Sequence, residues 1–561
     1  MTDRAKHLTS LALLGWSVAA CSVGAPVPSR PTPIAWVDTL PIVEPPGRDV
    51  AELPKLIRTS AAGEVSDVLG FRAITGEHRE ALNTDHFDDV PNSAWFVHRN
   101  GRHRMTPEEV FRGPTTGDGP SEGPLTIIAA KVQGISPGYT IRDAKGDRYI
   151  VKFDPKGFLY LSSGAGVIAN RLLHAAGFNV PEDYIFTFST DRLGVDPDAT
   201  VTDVDFVEHE LTLQVARDAH NRTDSLSNGR YVAIASKFVP GPPKGPFFFE
   251  GIREDDPNDH YVHEGRRELR GLNVVSAWIN HVDMRFMNTM DVFVSPGFLR
   301  HYLIDFAATL GSGTIRSHEP REGVEYNFDF WDTMGRLFSL GFHRAGWEEV
   351  EWATIHPTIG WLPAEYFDPA EWKANWPNKA FNSMTDRDGY WGAKLVGSFD
   401  EEQIQAAVAA GSLPDAWAAD TLASILLTRR DKIVEYWYAR VSPVESPQLD
   451  ISSAGEAGLV FDDFGIRDRA WTTPQTSYKW QFADPATGER QTGSKEATGP
   501  DAGQRLEIPA LAGQVGRSAH ADDQYATVDI LVNRGAGFTP RPAVVYLRWT
   551  GKTYEVVGLM H

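Results

Sequence analysis

The chain of 561 residues holds one cysteine, Cys21. No disulfide can form within it, so a small scaffold stapled by bridges is excluded. Beyond the first two dozen residues it lacks any apolar run long enough to cross a bilayer. Basic runs are missing too: Asp and Glu number 75 against 54 Lys and Arg, a formal net charge of -21. Such a surface repels phosphate backbones, which excludes nucleic acid as the expected partner. No second His or Cys stands at ligand spacing beside His281 and Asp283, so a zinc-type site is not expected there. There is no internal repeat. Hydrophobic residues at 42% and charged residues at 23% are ordinary for a globular protein, which excludes wholesale disorder.

The start, MTDRAKHLTSLALLGWSVAAC, has the layout of a secretory signal. Arg4 and Lys6 form a short basic region, Leu8 to Val18 are apolar, and small residues lead into Cys21. VAAC is similar to the lipobox of bacterial lipoproteins, in which the cysteine carries the lipid. That resemblance implies lipidation at Cys21, a membrane partner through the N-terminal lipid, and a place in the bacterial cell envelope, periplasmic or facing the outer membrane. The expected order is a signal peptide over 1–20, a Pro-rich tether over 21–50 extending away from the membrane, and an N-terminal extension over 51–124.

Strand and turn signals begin at residue 125. LTIIAAKVQGISPGYTIRDAKGDRYIVKFDP reads as three short strands parted by turns at Gly134 to Gly138 and at Lys145-Gly146-Asp147. AGVIANRLLHAAG reads as a helix stopped by its terminal glycine. VPEDYIFTF and YVAIASKFVPG read as strands, with a long loop between them. Residues 264–281 have the spacing of an amphipathic helix, with Leu269, Leu272, Val275 and Trp278 three apart. The stretch NHVDMRFMN follows, then the strands MDVFV and RHYLIDF. From Trp331 to Val441 the pattern is mostly helical. Residues 449–561 are strand-rich, and TGK between two apolar runs predicts a hairpin.

Four polar groups recur in a telling order: Lys152 at the end of a strand, Asp283 and Asn288 five apart in a loop, and Asp305 at the end of another strand. YIVK, HVDMRFMN and LIDFAATLG together resemble the protein-kinase-like superfamily over about residues 125–440. They are closer to its atypical branches, which include HipA-like, phosphoinositide 3/4-kinase-like and secreted kinases. The resemblance implies an α+β, two-lobed fold, with an N-lobe over 125–245 and a helical C-lobe over 246–445. A C-terminal, β-rich, sandwich-like domain is expected over 446–561. ATP with Mg²⁺ or Mn²⁺ is the implied cofactor pair, and a protein, lipid or sugar hydroxyl the implied acceptor.

The roles follow from what phosphoryl transfer needs: positioning, cations against phosphate charge, and a group to orient the nucleophile. Lys152 would pair the phosphates. Asn288 and Asp305 would hold the metal through oxygen. Asp283 would accept or orient the attacking hydroxyl. Gly134 and Gly138 would let backbone N–H groups approach phosphate oxygens, and His281 would brace the loop. Each group alone has a plainer use: Lys152 on an edge strand, the Asx residues satisfying loop N–H groups, the glycines as turns.

The chain departs from the kinase pattern where the lysine strand is followed by a helix without Glu or Asp. Ala165 or Gly166 stands where a glutamate is expected, and Glu182 lies beyond the helix. A catalytically dead pseudokinase, binding a partner at the envelope, is therefore the alternative. A purely structural envelope lipoprotein is a third reading, drawn from the strand-rich C-terminal part and the tryptophans of 347–391, which are more often core anchors than a sugar platform.

Overall fold

The computed structural model describes residues 37–48, 80–131, 138–202, 208–327, 346–452, 456–499, 501–513, 518–521, 524–535 and 540–561. The signal-like segment, Cys21 and Gly134 lie outside them. Within them the chain is mixed α+β, and no described helix is long and apolar enough to cross a membrane.

A seven-stranded sheet carries the first part. Its strands are β1 (Leu125–Lys131), β2 (Gly138–Arg142), β3 (Arg148–Phe153), β4 (Asp183–Phe188), β5 (Leu193–Thr202), β6 (Glu208–Glu210) and β7 (Tyr231–Lys237). Their order is β4-β7-β3-β2-β1-β5-β6. Alternation on β3 sends Tyr149, Val151 and Phe153 into the apolar cluster on one face, and Ile150 and Lys152 to the other. The other face is covered by α2 (Leu161–Ala176), which follows the short α1 (Pro107–Arg112). Asp154 anchors the start of α2, accepting from the Ser162 and Ser163 N–H groups at 2.9 and 2.8 Å. Gly177, at φ 121°, ends it with its N–H on the His174 and Leu173 carbonyls, a conformation that favours glycine.

The stretch between β4 and β7, read as a loop, holds β5, β6 and the short α3 (Leu213–His220) instead. β5 contains Asp196, Pro197 and Asp198, residues that strands avoid. Its pairing with β1 is interrupted there and resumes at Thr200. The tether also departs from expectation. From residue 37 it lies on the body: Ala94 N–H donates to Asp38 at 2.9 Å, Ile42 N–H to Gly297 O at 2.8 Å, and Asn258 Nδ2 to Leu40 O at 2.8 Å.

The helix expected over 264–281 is α4 (Arg267–Trp278), and it is not amphipathic in use. Every residue of it but Asn273 is buried. Its charged side is satisfied by partners: Arg267 bonds Asp88 and Asp388, and Arg270 bonds Asp388. The hairpin β8 (Thr289–Val294) and β9 (Phe298–Leu303) follows. Beyond it come α5 (Asp386–Gly397), α6 (Glu401–Ala410) and α7 (Ala416–Tyr438), each opened by an Asp or Thr cap that accepts a backbone N–H. Between residues 346 and 378 the described chain is mostly irregular rather than helical. Gly271 and Gly392 let α4 and α5 touch: a Cβ on Gly392 would lie 2.6 Å from the Gly271 oxygen.

The last part forms two further sheets, β10-β11-β14 and β13-β12-β15-β16-β17. The strands are β10 (Val444–Ile451), β11 (Ala457–Asp463), β12 (Ser477–Asp484), β13 (Glu489–Glu496), β14 (Gly503–Glu507), β15 (Ala526–Asn533), β16 (Ala543–Trp549) and β17 (Tyr554–Met560). Both sheets contribute to one apolar cluster, with Leu459, Phe461 and Leu506 meeting Phe482, Val528 and Val545. The expected hairpin is present: β16 pairs antiparallel with β17 across Thr550–Thr553.

Candidate active site

Lys152 is not on an edge. β3 is flanked by β2 and β7, with Lys152 opposite Gly138 on one side and Ile234 on the other. Gly138 is the first residue of β2, and a Cβ there would lie 2.2 Å from the Val151 oxygen and 3.2 Å from the Lys152 Cα. No other residue fits so close to the lysine strand. The Lys152 side chain, 32% exposed, runs along the α2-facing side and places Nζ 2.7 Å from Asp305 Oδ2.

Asp305 lies two residues past the end of β9 at φ 63°. That left-handed conformation is uncommon outside glycine and best tolerated by Asp and Asn. The turn is held by its neighbours. Ile304 N–H donates to Asn288 O at 2.9 Å, and Thr309 Oγ1 donates to Phe306 O at 2.7 Å and Ala165 O at 3.3 Å. Burial pushes the Asp305 carboxyl up, but the Lys152 ammonium, together with the Ala307 N–H and other neighbours, holds the group below its ordinary value.

Asp283 and Asn288 meet directly. Asn288 Nδ2 donates to the Asp283 carbonyl at 2.7 Å and to its Oδ2 at 3.0 Å. Arg285, two residues on and not among the expected site residues, forms an ion pair with Asp283 Oδ1 at 2.9 Å. Even so, Asp283 is raised: burial dominates, and the Asp305 charge adds to it, against Arg285 and Asn288. The two pairs, Lys152–Asp305 and Asp283–Asn288, are neighbours, tied through the Ile304 N–H on Asn288 O at 2.9 Å. The loop carrying Asp283 is tied down from behind by Asn375 N–H on Val282 O at 2.7 Å. Just before it, Asn280 accepts from Trp372 Nε1 at 2.9 Å.

His281 packs behind this loop. Its ring is buried edge-on to Phe306, with centroids 5.9 Å apart, and neither ring nitrogen reaches full hydrogen-bond geometry, although the Ala308 backbone is near enough to act on it. Burial lowers it to about 4 against the pull of Asp305, so the ring is neutral at physiological pH and supplies no charge.

The structure therefore brings together Lys152, Asp283, Asn288 and Asp305, with Gly138 across from Lys152 and His281 behind. Glu182 takes no part, accepting instead from Thr116. Among the described residues no group of three or more His, Cys, Asp or Glu could hold a metal ion. Asp305 and Asn288 offer one carboxylate and one amide. That sparse set fits a hard cation of the Mg²⁺ type, which keeps waters and takes the rest of its oxygens from substrate phosphates. A cavity of about 430 Å³ opens elsewhere, walled by Trp347, Trp361, Tyr366 and Trp372. It touches Asn280 but none of the four polar groups.

Compared with protein-family models, with curated proteins and with solved structures, the chain matches none.

Proposed function

We propose that this chain is a kinase-like phosphotransferase, dependent on ATP and on Mg²⁺ or Mn²⁺, that passes a phosphoryl group to a hydroxyl of a protein, lipid or sugar. In this reading the fold is two-lobed, with the C-terminal sheets as an added domain, and a lipid on Cys21 anchors it in a bacterial envelope. One observation carries the reading: a strand lysine 2.7 Å from a strand-end aspartate, neighbour to an aspartate and asparagine bonded within one loop. The layout of strands, helix and returning strands around Lys152 supports it too.

Lys152 would neutralise phosphate oxygens and fix their position. Asp283 would take the acceptor's proton or aim its lone pair, and its raised value moves it toward a usable base. A bound divalent cation would supply charge neutralisation on the transferring phosphoryl group. Calorimetric titration of ATP into the protein, with Mg²⁺, with Mn²⁺ and with chelator, tests the reading. Metal-dependent binding is expected; none in either metal would refute it.

A second reading, a pseudokinase that holds a partner at the envelope, is favoured by α2, which has no acidic residue in its first turn or beyond. Asp283→Ala separates the two. As a phosphotransferase the protein is expected to lose roughly a hundredfold or more in transfer while keeping nucleotide affinity. Any transfer to an acceptor that depends on Asp283 rules the pseudokinase out.

A further inference from the structure

The helix that follows the lysine strand is closely packed where the missing acid would stand. A Cβ on Gly166 would lie 2.8 Å from Ile234 Cδ1, so that side chain must shift, and 3.8 Å from the Phe306 carbonyl. α2 is seated directly on the segment that carries Asp305, and a longer side chain there would have to displace Ile234.

One turn further, on the same face of α2, Asn170 is wholly buried. Its Nδ2 donates to Asp183 Oδ2 at 3.0 Å and to Pro181 O at 2.8 Å. Asp183 opens β4 and is 2% exposed. The register places it on the side of the sheet that Lys152 uses. Asp183 and Ile150 both lie opposite Ser236 of β7, while Lys152 lies opposite Ile234, two residues along. With a period of two, all of these side chains face α2.

Asp183 Oδ1 meets no donor at hydrogen-bond geometry. Burial pushes this carboxyl up to about 6, against the Ser236 hydroxyl, Arg171 and Lys152, which favour its charged form. A buried carboxylate with an open oxygen is costly unless a cation answers it. Two cations act on it, Arg171 and Lys152. Arg171 is engaged elsewhere: its Nε donates to Phe111 O, one terminal nitrogen to Asn170 Oδ1, and the other to the Asp183 backbone oxygen. Lys152 is the cation whose ammonium remains to be shared.

We propose that Asp183, delivered by β4 and held by Asn170, is the positioning residue for Lys152, in place of a helix glutamate. Lys152 rests on Asp305; when Asp305 is engaged by a metal ion, Asp183 is the carboxylate that keeps the ammonium at the site. This rests on the phosphotransferase reading.

Two measurements test it. In steady-state transfer assays, Asp183→Asn is expected to lower kcat on the order of ten- to a hundredfold, with KM for ATP changed by less than about threefold. Asn170→Ala is expected to fall between it and wild type in kcat, and to melt lower because it leaves buried partners unsatisfied, so both variants are assayed well below their melting temperatures. A kcat equal to wild type in Asp183→Asn overturns the assignment. So does a loss that appears in KM, or one that tracks the fraction of unfolded protein at the assay temperature, because a merely structural role predicts those.

The second measurement needs no activity. Lys152 acetylation by acetic anhydride is scored by mass spectrometry in Asp305→Asn and in the double variant with Asp183→Asn. The double variant is expected to label several-fold faster, since its lysine has lost both carboxylates. Equal labelling overturns the proposal. Faster labelling in a protein that binds no ATP would refute the phosphotransferase reading and leave the Asp183–Lys152 pairing standing.

Discussion

Asp305→Asn is expected to abolish the metal-dependent part of ATP binding and to lower phosphoryl transfer on the order of a thousandfold or more. Asparagine is the sharper substitution. Residue 305 sits at φ 63°, which Asn tolerates, whereas Ala adds a backbone cost of about 1 kcal/mol. The variant removes the one carboxylate of the Asp305–Asn288 donor set and also releases Lys152 from its ion pair at 2.7 Å. These act in opposite directions on nucleotide affinity. Without metal, the freed ammonium meets phosphate unopposed, so affinity in chelator is expected to hold or rise slightly. With Mg²⁺ or Mn²⁺, the increment that metal gives the wild type is expected to vanish. Melting temperature should hardly move, because both partners are about a third exposed, at 32% and 36%, and a pair so placed contributes at most about 1 kcal/mol. Titration calorimetry in the three solutions, beside a thermal melt, checks all three statements. Equal loss of affinity with and without metal would show that Asp305 supports the fold and not a cation.

Why these four residues were legible in the sequence, and Asp183 was not, is a matter of contact range. Lys152, Asp283, Asn288 and Asp305 each sit at the end of a strand or in a short loop whose flanking periodicity is local. Asp283 and Asn288 even bond each other across five positions. Asp183 becomes interesting only once β7 is known to lie between β3 and β4, a pairing that no local pattern encodes. Glu182, its neighbour, is also an acid close to the end of the helix, and sequence position alone does not separate the two. The strands β5 and β6 were missed for a related reason. Asp196-Pro197-Asp198 reads as a turn, and its tolerance in β5 depends on the break in pairing with β1 at that point. The α4 helix shows the converse error. Its charged positions looked solvent-facing, and only the fold supplies Asp88 and Asp388 to bury against them.

The largest expected effect on stability comes from that same network. Asp88→Ala is expected to destabilise the protein by about 3–5 kcal/mol, the cost of leaving buried charges without their partner. Asp88 is 3% exposed and accepts from three separate parts of the chain. Arg267 of α4 donates at 2.5 Å, and Arg387 of α5 at 2.5 and 3.1 Å. The His561 backbone N–H, after β17, donates at 3.1 Å, with its ring nitrogen Nδ1 at the same distance. In the variant Arg267 keeps the buried Asp388 at 3.0 Å, whereas Arg387 keeps only the half-exposed Glu80 at 3.2 Å, so the loss falls mainly on Arg387 and on the seat of His561. Since His561 also reaches Val444 O at 3.0 Å, the variant is expected to loosen the C-terminal sheets from the helices first. Hydrogen exchange at β17 should accelerate before exchange in α4.

The pH dependence has a definite sign. Burial pushes the Asp88 carboxyl up, but Arg267, His561 and Arg387 together hold it well below its ordinary value. A carboxyl depressed in the folded state contributes stability that is complete above its unfolded value, near 4, and is lost as pH falls toward the folded one. Wild type is therefore expected to lose stability to denaturant below about pH 4 more steeply than Asp88→Ala, so that the two curves converge in acid. Curves that stay parallel down to pH 2 would mean that the Asp88 contribution is packing and not charge.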